Sequence, residues 1–346
     1  MKKLLLAAAI LSAVCVPCMP TAAKDSGKVS AEALSAAVSH GFEYKNSDTG
    51  ISITLPVSRV ENKDNNGLMY QAYLPDSGLS LMIMSKSTRQ PRMEKKLQET
   101  RKASEKFLRE KKGDSKETLV SVKKGKVDGV PAIITSSRGT AAEGGYEVLR
   151  YWVSNTDGDY MISFTSKEGE MKSGGKTVKG LVDSIHFFTP MQRVEIKGTV
   201  YTYDIPANMR VDYKPPVAPD HVLVAGNLSL MTGVTALPIE ENDDLSFFPE
   251  SLAGLTKDEQ ASIVDHLKAK IADEANGRKV KKTKFDFRNV YGRDALIMDF
   301  EDGDSHNRSF IFIQDGKYIS FDYIYSEKDK DYAEKVIEQS VKSISL

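Results

Sequence analysis

The stretch DGDYMISF, residues 157–164, returns almost unchanged as DGKYISFD at residues 315–322. In both places Asp-Gly precedes an alternation of apolar and polar residues, which is the pattern of a tight turn followed by a half-buried β-strand. An internal repeat determines how many domains a chain has and of what kind they are.

Further pairs of segments occur in the same order in both halves of the chain. A strand ends in proline, a Leu-Ser-Leu-Met strand and a Val-x-Gly turn follow, and a Ser-Ile sequence closes a helix. The paired ranges are 52–60 and 203–211, 79–84 and 228–233, 127–136 and 290–299, and 181–187 and 339–346. Because the order is kept and only loop lengths differ, the sequence predicts a tandem duplication with a boundary near Pro190.

Both halves predict strands in hairpin series with few helices. In the second half, a capping box from Thr256 to Glu259 opens a helix. In the first half, Pro91 suits the first position of the equivalent helix, and Phe107 lies on its apolar stripe. Strands in hairpin series with helices gathered on the sheet predict an α+β fold, with two tandem copies of a mainly antiparallel β-sheet flanked by helices.

The two Asp-Gly turns raise a question of register. After each turn, alternate residues form the apolar face of the strand; the two sets are Tyr160, Ile162 and Phe164, and Ile319, Phe321 and Tyr323. Counted from the turn, the second set has moved by one residue, which would exchange the two faces of the strand. The sequence therefore predicts a β-bulge or a different loop length at one of the two turns.

Two short motifs connect the halves with a known family. V-x-G-x-x-A occurs at 127–132 and 290–295, and Ser-Ile ends the closing helix at 184–185 and 343–344. With the proline-ended strand and the D-G-x-Y hairpin, they resemble the PsbP-like family, which includes the extrinsic photosystem II protein and a Ran-binding nuclear import factor. The resemblance covers residues 42–346 as two copies. It implies a non-enzymatic scaffold or binding module.

The N-terminus predicts a secretory signal peptide. Two lysines precede an apolar run that is too short to remain as a membrane span, and small residues follow it. We expect cleavage near Ala23 and a secreted or periplasmic protein. Both cysteines, Cys15 and Cys18, lie in this peptide; a lipoprotein acylated at either is the less favoured alternative, because no small residue precedes them. The expected divisions are a signal peptide at 1–23, an N-terminal segment at 24–41, and PsbP-like repeats at 42–190 and 191–346.

Composition and motifs argue against several kinds of function. Lysine plus arginine and aspartate plus glutamate number 48 each, so no excess charge favours a nucleic acid as partner. After the signal peptide, no apolar run is long enough for a transmembrane anchor. The sequence contains no G-x-S-x-G motif, no glycine-rich phosphate loop and no close pair of histidines. We therefore expect no enzymatic activity and no cofactor.

The densest acidic cluster is DFEDGDSH, residues 299–306. Its carboxylates are oxygen ligands of the kind that calcium prefers, and they belong to Asp299, Glu301, Asp302 and Asp304. The spacing is not that of an EF-hand loop, and the matching turn at 140–145 lacks the acids. A polar hairpin tip is therefore the favoured interpretation, with calcium-stabilised adhesion as an alternative.

The second half contains a longer segment, ALPIEENDDLSFFPESLAGL, at residues 236–255. Its apolar side chains are candidates for partner contact, and they are Leu245, Phe247, Phe248 and Leu252. The alternative is that they pack onto the sheet edge or the seam between the halves. The leading hypothesis is a non-enzymatic protein that binds a protein or cell-envelope partner through this segment and the seam. A small-ligand carrier or enzyme with a pocket between the halves is the alternative.

Overall fold

The computed structural model describes residues 41–62, 69–88, 90–110, 117–142, 144–171, 175–196, 199–213, 221–274 and 280–346. The signal peptide and nearly all of the N-terminal segment, predicted at 1–23 and 24–41, lie outside these residues. The chain divides into two compact units, Met1–Pro190 and Met191–Leu346.

The first unit contains a seven-stranded antiparallel sheet of order β3-β4-β5-β9-β8-β7-β6 and a small sheet of order β1-β2-β10. Its strands are β1 (Phe42–Asn46), β2 (Ile51–Leu55), β3 (Val60–Glu61), β4 (Met69–Leu74), β5 (Leu79–Ser87), β6 (Glu117–Val127), β7 (Val130–Ala141), β8 (Gly144–Ser154), β9 (Gly158–Lys167) and β10 (His186–Phe187). Its helices are α1 (Glu94–Glu110), between β5 and β6, and α2 (Gly175–Asp183), after β9.

The second unit has a seven-stranded antiparallel sheet with the same strand order, β13-β14-β15-β19-β18-β17-β16, and a small sheet of β11 and β12. Its strands are β11 (Met191–Glu195), β12 (Thr202–Pro206), β13 (Arg210–Asp212), β14 (His221–Gly226), β15 (Leu230–Pro238), β16 (Val280–Val290), β17 (Arg293–Asp302), β18 (Ser305–Gln314) and β19 (Lys317–Ser326). Its helices are α3 (Lys257–Glu274) and α4 (Lys330–Ser343). The predicted α+β class with mainly antiparallel sheets is confirmed.

A two-residue turn sets the register at the same place in both sheets. Asp128 and Gly129 join β6 to β7 with φ angles of 48° and 74°, and Tyr291 and Gly292 join β16 to β17 with 51° and 89°. Successive positive φ angles match the twist of the flanking strands, as a hairpin of this length requires. Pairing can therefore be followed from this turn into each sheet, which matches positions of one sheet with positions of the other.

The two Asp-Gly turns have different loop lengths, as predicted. Asp315 and Gly316 form a two-residue turn with positive φ between the paired residues Gln314 and Lys317. The first turn instead has four residues, 155–158, between paired residues 154 and 159. In that loop the Asn155 side-chain oxygen accepts the backbone N–H groups of residues 157 and 158, at 2.9 and 2.8 Å. Relative to the strand pairing, Asp-Gly thus lies one residue later in the first turn than in the second. The apolar faces of β9 and β19 therefore correspond without a bulge.

One face of each sheet packs on its closing helix and forms the main core. Ile162 and Phe164 of β9, and Phe321 and Tyr323 of β19, are at most 1% exposed on these faces. The Ser-Ile motif fastens each helix end to the small sheet. The Ser184 hydroxyl accepts the N–H of residue 54 at 3.2 Å, and the hydroxyl of residue 343 accepts that of residue 204 at 2.7 Å. The motif is therefore a structural link.

The start of α1 differs from the prediction, because Pro91 lies before the helix, which begins at Glu94. Arg92 explains the difference. Its guanidinium donates to the Asp159 carboxylate at 2.9 Å and to the carbonyl of Gly158 at 2.6 Å, which ties this segment to the 155–158 loop. The apolar stripe also differs at its end, where Leu108 is buried and the predicted Phe107 is only half-buried.

The Leu-Ser-Leu-Met match was predicted in the wrong register. Leu79 begins β5 and is fully buried, whereas its proposed counterpart, Leu228, precedes β15 and is 75% exposed. The strand pairing makes Leu230 the counterpart of Leu79, two residues further along. The two Leu-Ser-Leu-Met segments lie in different structural positions because the turns before β5 and β15 differ.

The outer strands β6 and β16 both carry a register irregularity. It lies between Leu119 and Ser121 in β6 and between Lys281 and Lys284 in β16, where Lys282 has a φ of 53°. Both strands also carry several lysines. Bulges and charges on an edge strand hinder pairing with another strand.

Candidate functional site

A cavity of about 520 Å³ lies within the second unit, on the sheet face opposite α4. Its floor is formed by β15, β17, β18 and β19, and its walls by α3 and the segment at residues 239–255, here called the cover segment. The lining comprises a polar floor, apolar walls and a charged mouth. The lining residues include Thr235, Asp244, Leu245, Phe247, Phe248, Lys270, Phe300, Ser309, Tyr318, Ser320 and Asp322.

The helix α3 is fixed at its start by the predicted capping box. Glu259 accepts the backbone N–H of Thr256 at 2.8 Å, and the Glu259 N–H donates back to the Thr256 hydroxyl at 3.3 Å. The hydrogen bond from Thr256 lowers the pKa of Glu259. Ile263 and Leu267 then bury against the sheet, next to Leu296. The helix is thus held against one part of this face.

The cover segment turns most of its apolar side chains inward. Leu245, Phe248 and Leu252 are between 5% and 7% exposed and pack with α3 and the sheet. Phe247 is half-buried at the cavity; its ring stacks on His266 at 4.8 Å and lies 4.6 Å from the Phe248 ring. Of the four predicted partner-contacting residues, Leu245, Phe248 and Leu252 therefore belong to the packing of this unit, and Leu245, Phe247 and Phe248 also line the cavity.

The floor of the cavity is polar. The Ser320 hydroxyl donates to the Asp322 carboxylate at 2.6 Å. Asp322 of β19 pairs with Ser309 of β18 on one side and with Gly233 of β15 on the other. Because Gly233 has no side chain, β15 places none beside the Asp322 carboxylate. Thr235, the next residue on this face, is buried opposite Ser320. Hydroxyl groups and one carboxylate thus meet beneath apolar walls.

The cavity follows from side-chain size at corresponding positions of the two sheets. The first sheet carries large residues on this face, namely Met82, Met84, Arg150, Trp152 and Met161. The counterparts in the second sheet are smaller, namely Gly233, Thr235, Ser309, Ile311 and Ser320. Trp152 fills its place and donates from Nε1 to the hydroxyl of residue 135 at 3.0 Å. The second unit therefore has space where the first unit has side chains.

Asp322 was not predicted as a site residue, although comparison of the two halves of the sequence contains a signal for it. Its counterpart in the first sheet is Ser163, which pairs with Met82 and Arg150 as Asp322 pairs with Gly233 and Ser309. A carboxylate that replaces a hydroxyl in a strand of buried residues stands out once the two halves are correctly aligned.

The predicted acidic cluster is divided among cations. Arg308 donates to Asp299 at 2.6 Å, and Lys282 donates to Glu301 at 2.8 Å and lowers its pKa. Asp302 ends β17 and Asp304 lies in the turn that follows. Among the residues that the structure describes, no group of three histidine, cysteine or acidic side chains is arranged to hold a metal ion.

The described histidines lie apart from one another. The ring of His306 lies between two glutamates, Glu301 at 3.6 Å and Glu327 at 2.5 Å, and His186 lies 3.5 Å from Asp128. His266 contacts a backbone carbonyl of α3 at 2.8 Å and stacks on the cover segment. Within the described part of the chain, no helix is both long and apolar enough to span a membrane.

Comparison with known proteins gives similarities of structure only. No family model and no curated protein matches the chain. The structure is similar to the solution structure of cyanobacterial PsbP (CyanoP) from Synechocystis sp. PCC 6803, with 14% identity, 45% of this chain and 92% of that chain covered, and a TM-score of 0.35. A crystal structure from Bacteroides thetaiotaomicron matches at 11% identity, covering 75% of this chain and 86% of that chain, with a TM-score of 0.32.

The immunity protein TplEi of the type VI secretion system of Pseudomonas aeruginosa also matches. The identity is 8%, the coverage 88% of this chain and 96% of that chain, and the TM-score 0.22. Likenesses at these identities and TM-scores carry no conclusion about function.

Proposed function

We propose that the chain is a secreted or periplasmic, non-enzymatic binding protein of two tandem PsbP-like units, and that the second unit holds a small, largely apolar ligand in its cavity. The observation that carries the proposal is the replacement of large side chains by small ones on the cavity face of the second sheet. Packed protein interiors rarely keep such space, and a volume of about 520 Å³ is of the size that small-molecule sites have.

The cover segment fits this function. It is the longest addition of the second half relative to the first, and its apolar side chains form a wall of the cavity while its acidic residues face solvent. Apolar walls with a few convergent polar groups are typical of ligand sites, because the walls supply affinity and the polar groups fix orientation. Phe247 and Phe248 supply the walls here, and Ser320 and Asp322 the polar groups.

A protein or cell-envelope partner remains a second proposal for the same segment. Its solvent-exposed residues include Glu240, Glu241 and Asp243, so a partner would meet an acidic surface with Phe247 at its border. Such a surface would favour a basic partner, and its binding would weaken with rising salt concentration.

The experiment that tests the cavity gives the second sheet the methionines of the first. Gly233→Met with Thr235→Met places in the cavity the side chains that Met82 and Met84 place in the first unit. We expect the native protein to bind the uncharged dye N-phenyl-1-naphthylamine, with a fluorescence increase on binding, and the double variant to bind it at least about ten-fold more weakly.

Leu228→Met is the matched control, because this residue is exposed near the same hairpin. It should leave dye affinity unchanged. Circular dichroism establishes that each variant is folded. Equal affinity of a folded double variant and the native protein would contradict the proposal and favour the acidic surface of the cover segment as the binding site.

A further inference from the structure

We propose that the first unit binds a soft monovalent metal ion, Cu(I) or Ag(I), through the thioether sulfurs of Met82, Met84 and Met161. These residues, here called the methionine group, lie on the sheet face whose counterpart in the second unit forms the cavity floor. The site lies in the other unit and takes another class of ligand, so the inference goes beyond the proposed function.

Strand pairing brings the methionine group together. Met84 of β5 lies directly opposite Met161 of β9, and Met82 lies two residues from Met84 on the same face of β5. Opposed residues have Cβ atoms about 5 Å apart, and alternate residues of one strand follow at about 6.7 Å. Because a methionine side chain is unbranched and has three rotatable bonds, the three sulfurs can converge on one ion above the sheet.

The sulfurs can be reached from solvent. Met82 and Met84 are half-buried, whereas Met161 is 4% exposed. Gln71, opposite Met82 on β4, donates from its side-chain amide to Sδ of Met82 at 3.7 Å and to Sδ of Met69 at 3.6 Å. A thioether is a weak hydrogen-bond acceptor, so the contact with Met82 is readily exchanged for a bond to a metal ion.

The fold does not require methionine at these three positions. The counterparts of Met82, Met84 and Met161 in the second sheet are small residues, namely Gly233, Thr235 and Ser320. Filling the face of the first sheet requires only large apolar side chains, and leucine or isoleucine would supply them. The property that the methionine group adds is a cluster of soft sulfur atoms.

Uncharged sulfur ligands determine which ion fits. Thioethers suit Cu(I) and the chemically similar Ag(I), whereas Zn(II) prefers imidazole, thiolate and carboxylate ligands. Arg150 of β8 and Asp159 of β9 lie on the same face near Met161, and both are already paired. Arg150 donates to Glu117 at 2.9 Å, and Arg92 donates to Asp159 at 2.9 Å. Neither residue therefore opposes a single positive charge.

The position of Trp152 provides the measurement. It is the single tryptophan of the sequence, and it lies directly opposite Met161 on β8. The full chain is titrated with silver nitrate in chloride-free buffer. Every sample carries Cys15→Ser and Cys18→Ser, because thiolates also bind soft ions. We expect one Ag(I) per chain to quench the fluorescence of Trp152, with a dissociation constant on the order of 1 μM or tighter.

The combined variant Met82→Leu, Met84→Leu and Met161→Leu keeps the size of the side chains and removes the sulfurs. It should bind Ag(I) at least about ten-fold more weakly. Met231→Leu is the matched control, because this methionine is exposed on the second sheet, and it should leave the affinity unchanged. Zn(II) should not quench the native fluorescence.

Three outcomes of the titration would overturn the proposal. They are equal affinity of the combined variant, no saturable quenching of the native fluorescence by Ag(I), and equal quenching by Zn(II). The first would leave the methionine group as packing residues only. None of these results affects the dye binding of the second unit, because the Ag(I) site uses residues of the first unit alone.

A second measurement keeps all methionines in place and therefore stands even if the combined variant does not fold. Hydrogen peroxide oxidises accessible methionines to sulfoxides, which mass spectrometry of peptides detects. Ag(I) should slow the oxidation of Met82 and Met84 and leave that of Met231 unchanged. Equal oxidation of Met82 and Met84 with and without Ag(I) would overturn the proposal.

Discussion

Replacing Tyr323 by phenylalanine should stabilise the second unit. Among the residues that the structure describes, its core contains four buried hydroxyl groups whose oxygens have no partner at hydrogen-bond geometry, and they belong to Tyr203, Thr232, Tyr323 and Ser340. Each of these residues is at most 1% exposed. The corresponding positions of the first unit are apolar throughout, namely Ile53, Leu81, Phe164 and Leu181.

The magnitude follows from the state of the Tyr323 hydroxyl. Burial raises its pKa well above the ordinary tyrosine value, and the Thr232 and Ser340 hydroxyls are near enough to oppose that rise. An unsatisfied buried polar group costs about 1–3 kcal/mol, and weak contacts among the hydroxyls recover part of this cost. We therefore expect Tyr323→Phe to raise the free energy of unfolding by about 1 kcal/mol.

The assay is urea denaturation followed by circular dichroism, with Trp152 fluorescence as a report from the first unit. The reciprocal variant, Phe164→Tyr, is the control, because it places a hydroxyl between Ile53 and Leu81 without a partner. It should destabilise the protein by about 1–3 kcal/mol. A loss of more than about 1 kcal/mol in Tyr323→Phe would refute the reasoning and show that the hydroxyls form a network, directly or through buried water.

Two further predictions concern a turn and a surface ion pair. Gly292→Ala should lower the free energy of unfolding by about 1–2 kcal/mol, because the φ angle of Gly292 is 89°. Gly180→Ala, in helix α2 with open space around it, should be neutral or stabilising. Equal effects of the two variants in urea denaturation would contradict the role of the turn. The Arg59 guanidinium, and to a lesser extent the hydroxyl of a neighbouring tyrosine, lower the pKa of Glu61. The contribution of Glu61 to the stability of the fold is therefore present above the ordinary glutamate pKa, and it is lost as pH falls through the lowered value. Glu61→Gln should therefore weaken the fall of the melting temperature between about pH 5 and pH 3, and an unchanged pH profile would count against this pair.

Most of the fold could be predicted because its signals are local. The turns at Gly129 and Gly292 require positive φ, the capping box begins α3, and the closing helices show the period of a buried face. The beginning of α1 could not be predicted, because Arg92 bonds to a loop that is distant in the sequence. Local patterns carry no information about such a contact.

The cavity could not be predicted because it depends on register across several strands. Aligning Leu228 with Leu79 sets Gly233 against Met84, whereas the strand pairing sets it against Met82 and sets Thr235 against Met84. Whether Phe247 would lie inside or outside depended on the size of the residues on a sheet face, some of which, such as Ser309 and Ser320, are more than fifty positions away. The segment was thus identified from its sequence, but its environment was not.

The bulges and lysines of β6 and β16 have a consequence for a chain that carries two like sheets. Every molecule brings two edge strands at the same position of like sheets, so strand borrowing between molecules could propagate from sheet to sheet and build a filament. The register breaks before Ser121 and Lys284 interrupt the hydrogen-bonding rows that such borrowing would use. In a chain with two copies of one sheet, keeping the molecules separate thus depends on irregular edges as much as on a well-packed core.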